Sequence, residues 1–127
     1  MAGCINYRAV AWAAVLSACA NSSVLAEGNI GRGQQLYQTR CTACHSVDTN
    51  RVGPLHAGVF GRKAGSVPGY AYSSALKSSK VVWNEKTLDR WLVNPEAFIP
   101  GQAMFVSVSD SAQRADLIAY LATLKAK

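Results

Sequence analysis

The sequence predicts an all-α domain, and three observations carry that expectation. No segment alternates apolar and polar residues as a half-buried strand would. Several stretches instead repeat apolar residues at helical spacing behind a capping residue. Between them runs SVDTNRVGPLHAGVFGRKAGSVPGY, with five Gly and two Pro in 25 residues, a composition that forms loop.

Taken in order, the first helix runs from Asn29 to about Thr42. Asn29 can cap it, and Ile30, Gly33, Leu36 and Tyr37 share one face. After the glycine-rich loop, Ala71 to Ser78 offers a short helix. Asn84 can cap another through Leu92, with Leu88, Trp91 and Leu92 on its buried side. Pro95 bars its continuation, because proline has no N–H to donate and clashes with the preceding turn. IPGQAM is a second loop. Asp110 with Gln113 resembles a capping box that opens a helix over Ala112 to Lys125, with Leu117, Ile118, Leu121 and Leu124 as its apolar face. A loop as long as the first marks function or disorder. A small all-α chain buries only about 60–70% of its unfolded surface. A large apolar group held inside would answer both points.

The bulk numbers limit the function classes. Half of the 127 residues are apolar and 16% are charged, which suits one packed domain. The formal charge of +6 points to an acidic partner surface. There is no dense Lys/Arg tract and no basic stripe interleaved with aromatics, so nucleic acid is not an expected partner.

Residues 1–26 read as an export signal. Arg8 is the only charge before Glu27, and the apolar run AVAWAAVLSA is too short to span a bilayer. Val24-Leu25-Ala26 offers a cleavage site before Glu27, while Leu16-Ser17-Ala18-Cys19 resembles a lipobox that would lipidate Cys19 after a signal of residues 1–18. Both remain open, with plain export favoured. The domain is then 27–127. Either way Cys4 is removed and Cys19 is removed or lipidated, which leaves Cys41 and Cys44 for chemistry in an oxidising compartment.

Those two cysteines belong to CTACH, Cys41 to His45. A zinc site needs three or four convergent ligands, and His45 follows Cys44 too closely to share a tetrahedral ion with it; there is no second CxxC. A redox dithiol wants a βαβ setting, and no strands are predicted. Haem attachment fits best: two thiols at this spacing add to two vinyl groups, and the adjacent histidine is placed under the iron. Met104, in the Pro-Gly loop after IPGQA, is the candidate for the opposite face. His56 is a rival ligand but is read as a packed or surface histidine.

With these residues in place the chain resembles a class I cytochrome c over residues 28 to 127. GQQLY, RVGPLHAGVFGRKAGSVPGYAYSSAL, VVWNEKTLDRWLVNPEAFIPGQAM and RADLIAYLATL each resemble a family segment, beside CTACH itself. The resemblance implies three to five helices wrapped around one covalent haem c. It implies thioethers at Cys41 and Cys44, His45 as proximal and Met104 as distal ligand, and a Pro54 carbonyl that orients His45. Arg62, Tyr72 and Trp83 would surround the propionates, where Arg62 could offset buried negative charge. Gly33 and Tyr37 would pack on Leu117 and Tyr120 where the terminal helices cross.

The implied function is an electron carrier, not an enzyme, with a positive potential because thioether sulfur favours reduced iron. It would be a monomer, soluble in the bacterial periplasm or tethered there by a lipid on Cys19. It would exchange electrons with redox proteins such as a quinol-oxidising complex and a terminal oxidase. The alternatives are a haem protein that binds or transforms a small ligand, and a docked subunit of a larger oxidoreductase. Three departures from the family stand out. His56 falls where an apolar residue faces the proximal side. Trp91 replaces a tyrosine that bonds the methionine sulfur in mitochondrial proteins, and Leu76 replaces a polar residue of their buried water network. A drier distal pocket is expected. Arg40 keeps one charge of the lysine ring around the haem edge, but Glu96 and Ala103 do not, so weaker electrostatic steering is expected.

Overall fold

Residues 27–127 are described by a computed structural model. The leader reading, with Cys4 and Cys19, lies outside the described residues. The fold is helical as predicted: α1 (Ile30–Arg40), α2 (Ser74–Ser78), α3 (Glu85–Val93), α4 (Pro95–Phe98) and α5 (Ser111–Leu121). Among the described residues the only β-type pairing is one antiparallel bridge, Lys63 to Val82. None of the described helices is long and apolar enough to cross a membrane.

Local chemistry explains where each helix starts. The Asn29 side chain accepts from Arg32 N at 2.9 Å and opens α1. Asn84 and Thr87 form a full reciprocal capping box at α3. At α5 only half of the expected box exists: Asp110 accepts from Gln113 N at 3.0 Å, and no return bond from Gln113 is made.

The ends depart more. Helix α1 stops at Arg40 rather than near Thr42, because Cys41 to His45 winds into a separate tight turn in which Cys44 N and His45 N both donate to the Cys41 carbonyl. Helix α2 begins at Ser74, not Ala71, since Ser73 is the residue that caps it. Pro95 does stop α3, but it also opens α4, capped by Asn94; the sequence reading has no element there. Helix α5 ends at Leu121, four residues short of the expected Lys125. The Leu124 carbonyl accepts instead from Gly58 N of the long loop at 2.6 Å, which draws the tail off the helix axis.

Helices α1 and α5 cross as the terminal pair. A Cβ on Gly33 would run into the Asp116 carbonyl and lie 2.9 Å from Tyr120 Cβ, so only glycine permits this approach. Beside it the Tyr37 and Tyr120 rings meet at 5.2 Å. Asp116, nearly buried, locks the crossing by accepting from Arg32 Nε at 2.7 Å and Asn29 N at 2.6 Å. Those bonds hold its carboxyl below the usual carboxylate range, Arg32 contributing most. Arg114 ties α5 to α3, donating to Asp89 at 2.6 Å and to the Val108 and Ser109 carbonyls. The long loop is closed by backbone bonds between 61–64 and 81–83, including Ala64 N to Val81 O and Trp83 N to Arg62 O. Together these elements surround a cleft on the inner side of the crossing.

Candidate functional site

The cleft encloses about 390 Å³ and brings together the residues that the sequence assigned to the haem: Cys41, Cys44, His45, Pro54, Arg62, Tyr72, Trp83, Trp91 and Met104 all line it. That volume lies in the range typical of cofactor sites. The walls are otherwise apolar, with Leu76, Leu88, Leu92, Leu117 and Leu121 among them.

Cys41 is the C-cap of α1, and the turn that follows carries Cys44 to the same cleft. Both are half-buried. Burial pushes the Cys41 thiol up to about 11, with Cys44 adding and Arg40 opposing. The raised value favours the neutral thiol. No three His, Cys, Asp or Glu side chains converge on a metal position among the described residues.

His45 Nδ1 lies 2.8 Å from the Pro54 carbonyl. A carbonyl only accepts, so Nδ1 carries the proton and Nε2 keeps its lone pair. Burial lowers the pKa of the ring, with the Pro54 bond opposing, so the neutral form is favoured. A neutral imidazole with one nitrogen anchored on a carbonyl is the form in which histidine ligates a metal. Gly53 makes room for it: a Cβ there would collide with the His45 ring. The sequence reading missed Gly53, although the Gly-Pro pair was its signal.

Met104 is half-buried in the second loop. The loop is held by a side-chain network that sequence reasoning also missed. Gln102, 6% exposed, accepts the Met104 N–H through Oε1 and donates through Nε2 to Glu96 at 3.3 Å. Glu96 in turn accepts from Gly101 N at 3.0 Å. Nothing in local spacing marks Gln102, since its partners are defined by the path of the loop.

Arg62, Tyr72 and Trp83 share the cleft, but Arg62 is partly engaged already. Its Nη1 and Nη2 donate to the Ala57 and Leu55 carbonyls, both at 2.8 Å. The Tyr72 hydroxyl accepts from Val67 N at 3.3 Å. Trp83 and Trp91 meet at 5.3 Å between centroids. Leu76 and Trp91, both buried, line the cleft and bring no hydroxyl to it.

His56 lies against His45. The two rings stack at 4.1 Å with 18° between planes, and His56 Nδ1 shares a 3.0 Å hydrogen bond with the Tyr37 hydroxyl. Part of His56 opens onto the cleft, yet protein surrounds it otherwise. That burial, with His45 and Arg62 adding, pushes its pKa down to about 3. Around the mouth Val52, Phe105 and Val106 are exposed, Phe105 by 88%, and Arg40 is the nearby cation lining the cleft beside Arg62.

The arrangement fits a flat apolar macrocycle with two points of covalent addition. Two thiols, an imidazole with a free nitrogen, a thioether from the second loop and two tryptophans line one cleft. Comparisons with known proteins agree. The family model described as cytochrome c matches residues 30–125. The cytochrome c of Sesamum indicum is 44% identical over 98 residues, 74% of this chain and 88% of that protein. The cytochrome c2 of Rhodomicrobium vannielii is 44% identical over 107 residues, 81% of this chain and 85% of that protein. Among solved structures, cytochrome cH from Methylobacterium extorquens superposes with a TM-score of 0.72 at 42% identity, covering 76% of this chain and 99% of that one.

Proposed function

The chain belongs to the cytochrome c family and is a carrier of electrons with one covalent haem c, and from that premise we propose that it is an exported carrier with His45 and Met104 as axial ligands. The observation that carries the ligand assignment is the anchored His45 ring, its Nδ1 bound to Pro54 and its Nε2 left free, in a cleft that Met104 also lines. When bound, the haem supplies an iron that takes up and gives back one electron. Cys41 and Cys44 would hold it through thioethers, which would prevent its loss outside the cell. The Pro54 carbonyl holds the His45 tautomer and ring direction. Gln102 and Glu96 hold the loop that presents Met104. These contacts would hold both side chains in place when the haem is bound, so that little protein geometry would have to change with oxidation state.

Trp83, Trp91 and Leu76 keep water from the buried faces, and a dry site with a thioether ligand favours the reduced state. Arg62 and Tyr72 keep donors that can reach propionates, since Arg62 spends only part of its guanidinium on Leu55 and Ala57. The exposed apolar rim formed by Val52, Phe105 and Val106, with Glu96 and Ala103 also exposed, supports docking with weak electrostatic steering. The partners fit a quinol-oxidising complex as donor and a terminal oxidase as acceptor. Export rests on residues 1–26, with a lipid on Cys19 as the membrane-tethered form.

Two measurements test this reading. The oxidised protein should show a sulfur-to-iron charge-transfer band at the far-red end of its spectrum, lost in Met104→Ala; high-spin iron without that band in the unaltered protein would favour a ligand-binding haem protein instead. Intact mass of the mature protein should equal the chain from Glu27 plus one haem, or the chain from Cys19 plus haem and lipid. A mass with residues 1–18 still present would overturn export.

A further inference from the structure

We infer that His56 is a positioning residue for the proximal ligand: stacked on His45 and held by the Tyr37 hydroxyl, it sets the plane of the His45 imidazole. The inference rests on the reading of His45 as an axial ligand. A histidine ring turns in a broad torsional well, so a single bond at Nδ1 leaves its plane loosely defined. The Pro54 carbonyl supplies that single bond, at 2.8 Å. A second constraint on the ring face would remove the remaining freedom. His56 provides a flat face 4.1 Å away and only 18° from parallel.

His56 is itself unusually well held. Arg62 donates to the carbonyls of both neighbours, Leu55 and Ala57, each at 2.8 Å. The amides of His56 and Ala57 donate to the Ser46 and Val47 carbonyls at 3.0 and 2.8 Å, tying the segment to the chain just beyond His45. The His56 ring is fixed by Tyr37, which is 2% exposed in α1 and packed on Tyr120 of α5. The plane of the proximal ligand is therefore referred, through two rings, to the crossing of the terminal helices. An aliphatic side chain at 56 would fill the space but present no flat face and no partner for the Tyr37 hydroxyl.

The test uses the full haem-loaded protein and three variants, His56→Leu, His56→Phe and Tyr37→Phe. Low-temperature electron paramagnetic resonance g-values of the oxidised iron, with the spread of the haem methyl proton shifts, report the axial imidazole plane independently of stability. Both should shift most in His56→Leu, and by a smaller amount in His56→Phe, which keeps a flat ring but loses the Tyr37 bond, and in Tyr37→Phe, which loses that bond alone. Unaltered spectra in His56→Leu would overturn the inference. So would a shift in His56→Phe as large as in His56→Leu, because polarity and not the flat face would then matter. If His56→Leu does not fold, Tyr37→Phe decides: spectra identical to the original overturn the anchoring. A thermal midpoint that falls with no spectral shift would show a packing role only. High-spin iron in the unaltered protein would instead overturn the axial assignment itself, and is read before any variant.

Discussion

Gln102→Leu removes the side-chain amide that ties down the Met104 loop. Leucine fills much of the same buried space, but the Met104 N–H loses its acceptor and Glu96 loses a donor at 3.3 Å. A net protein hydrogen bond contributes about 0.5–1.5 kcal/mol. The bond to exposed Glu96 is long and solvent-screened, and belongs at the low end of that range. The two bonds together stabilise the closed loop by about 1–2 kcal/mol if they exist only when it is closed. That difference corresponds to roughly 5- to 30-fold in an equilibrium, since about 1.4 kcal/mol is tenfold. With Met104 as the proposed distal ligand, an external ligand such as imidazole has to displace it, so imidazole binding to oxidised protein should tighten by that factor. The assay is a titration followed by loss of the far-red sulfur band. Glu96→Ala removes the carboxylate's bonds to Gln102 and Gly101 but leaves the Met104 to Gln102 bond in place; because the lost bonds are to an exposed carboxylate, binding should tighten no more than in Gln102→Leu. Unchanged imidazole affinity in Gln102→Leu, at an unchanged thermal midpoint, would refute the reasoning, because the bonds would then persist with the loop open.

Three further outcomes follow from the same structure. Gly33→Ala places a methyl against the Asp116 carbonyl; overpacking costs about 1–3 kcal/mol, offset in part by the better helix propensity of alanine at about 1 kcal/mol. The urea midpoint should fall at constant slope, and an unchanged midpoint would contradict the close crossing. Asp116 has a folded pKa below its ordinary 3.8, so its contribution is fully present above that value and lost as pH falls through the folded one. Asp116→Asn should therefore be less stable than the parent at neutral pH, the two acid-unfolding curves converging only below the ordinary aspartate range; a constant offset across that range would refute the assignment. Finally, electron transfer to an acidic oxidase site should slow only mildly with added salt, given Glu96, Ala103 and the apolar rim. A steep fall measured by stopped flow would contradict weak steering.

Much of the fold was legible because its signals are local. Asn29 and Asn84 cap the helices that they announce, and Pro95 ends α3 for a reason internal to proline. The same locality limited the reading. Pro95 also starts α4, since the proline that stops one helix is well suited to the first turn of another. The end of α5 was overestimated because Leu124 keeps helical spacing, while its carbonyl is taken by Gly58, distant in sequence.

By itself, the sequence determined the all-α class and the pairing of Cys41 and Cys44 with His45, because spacing along one chain is what those features require, and it made Met104 a candidate as the one methionine besides the initiator, set in a Pro-Gly loop. Only the tertiary structure decided that Arg62 spends two donors on Leu55 and Ala57, that Gln102 and Glu96 brace Met104, and that His56 stacks on His45 and bonds the Tyr37 hydroxyl. Those relations join residues whose separation along the chain carries no periodic signal. The Arg62 and His56 relations are set by the way the long loop is pinned beneath the terminal-helix crossing, and the Gln102 brace by the path of the second loop; no local pattern encodes either.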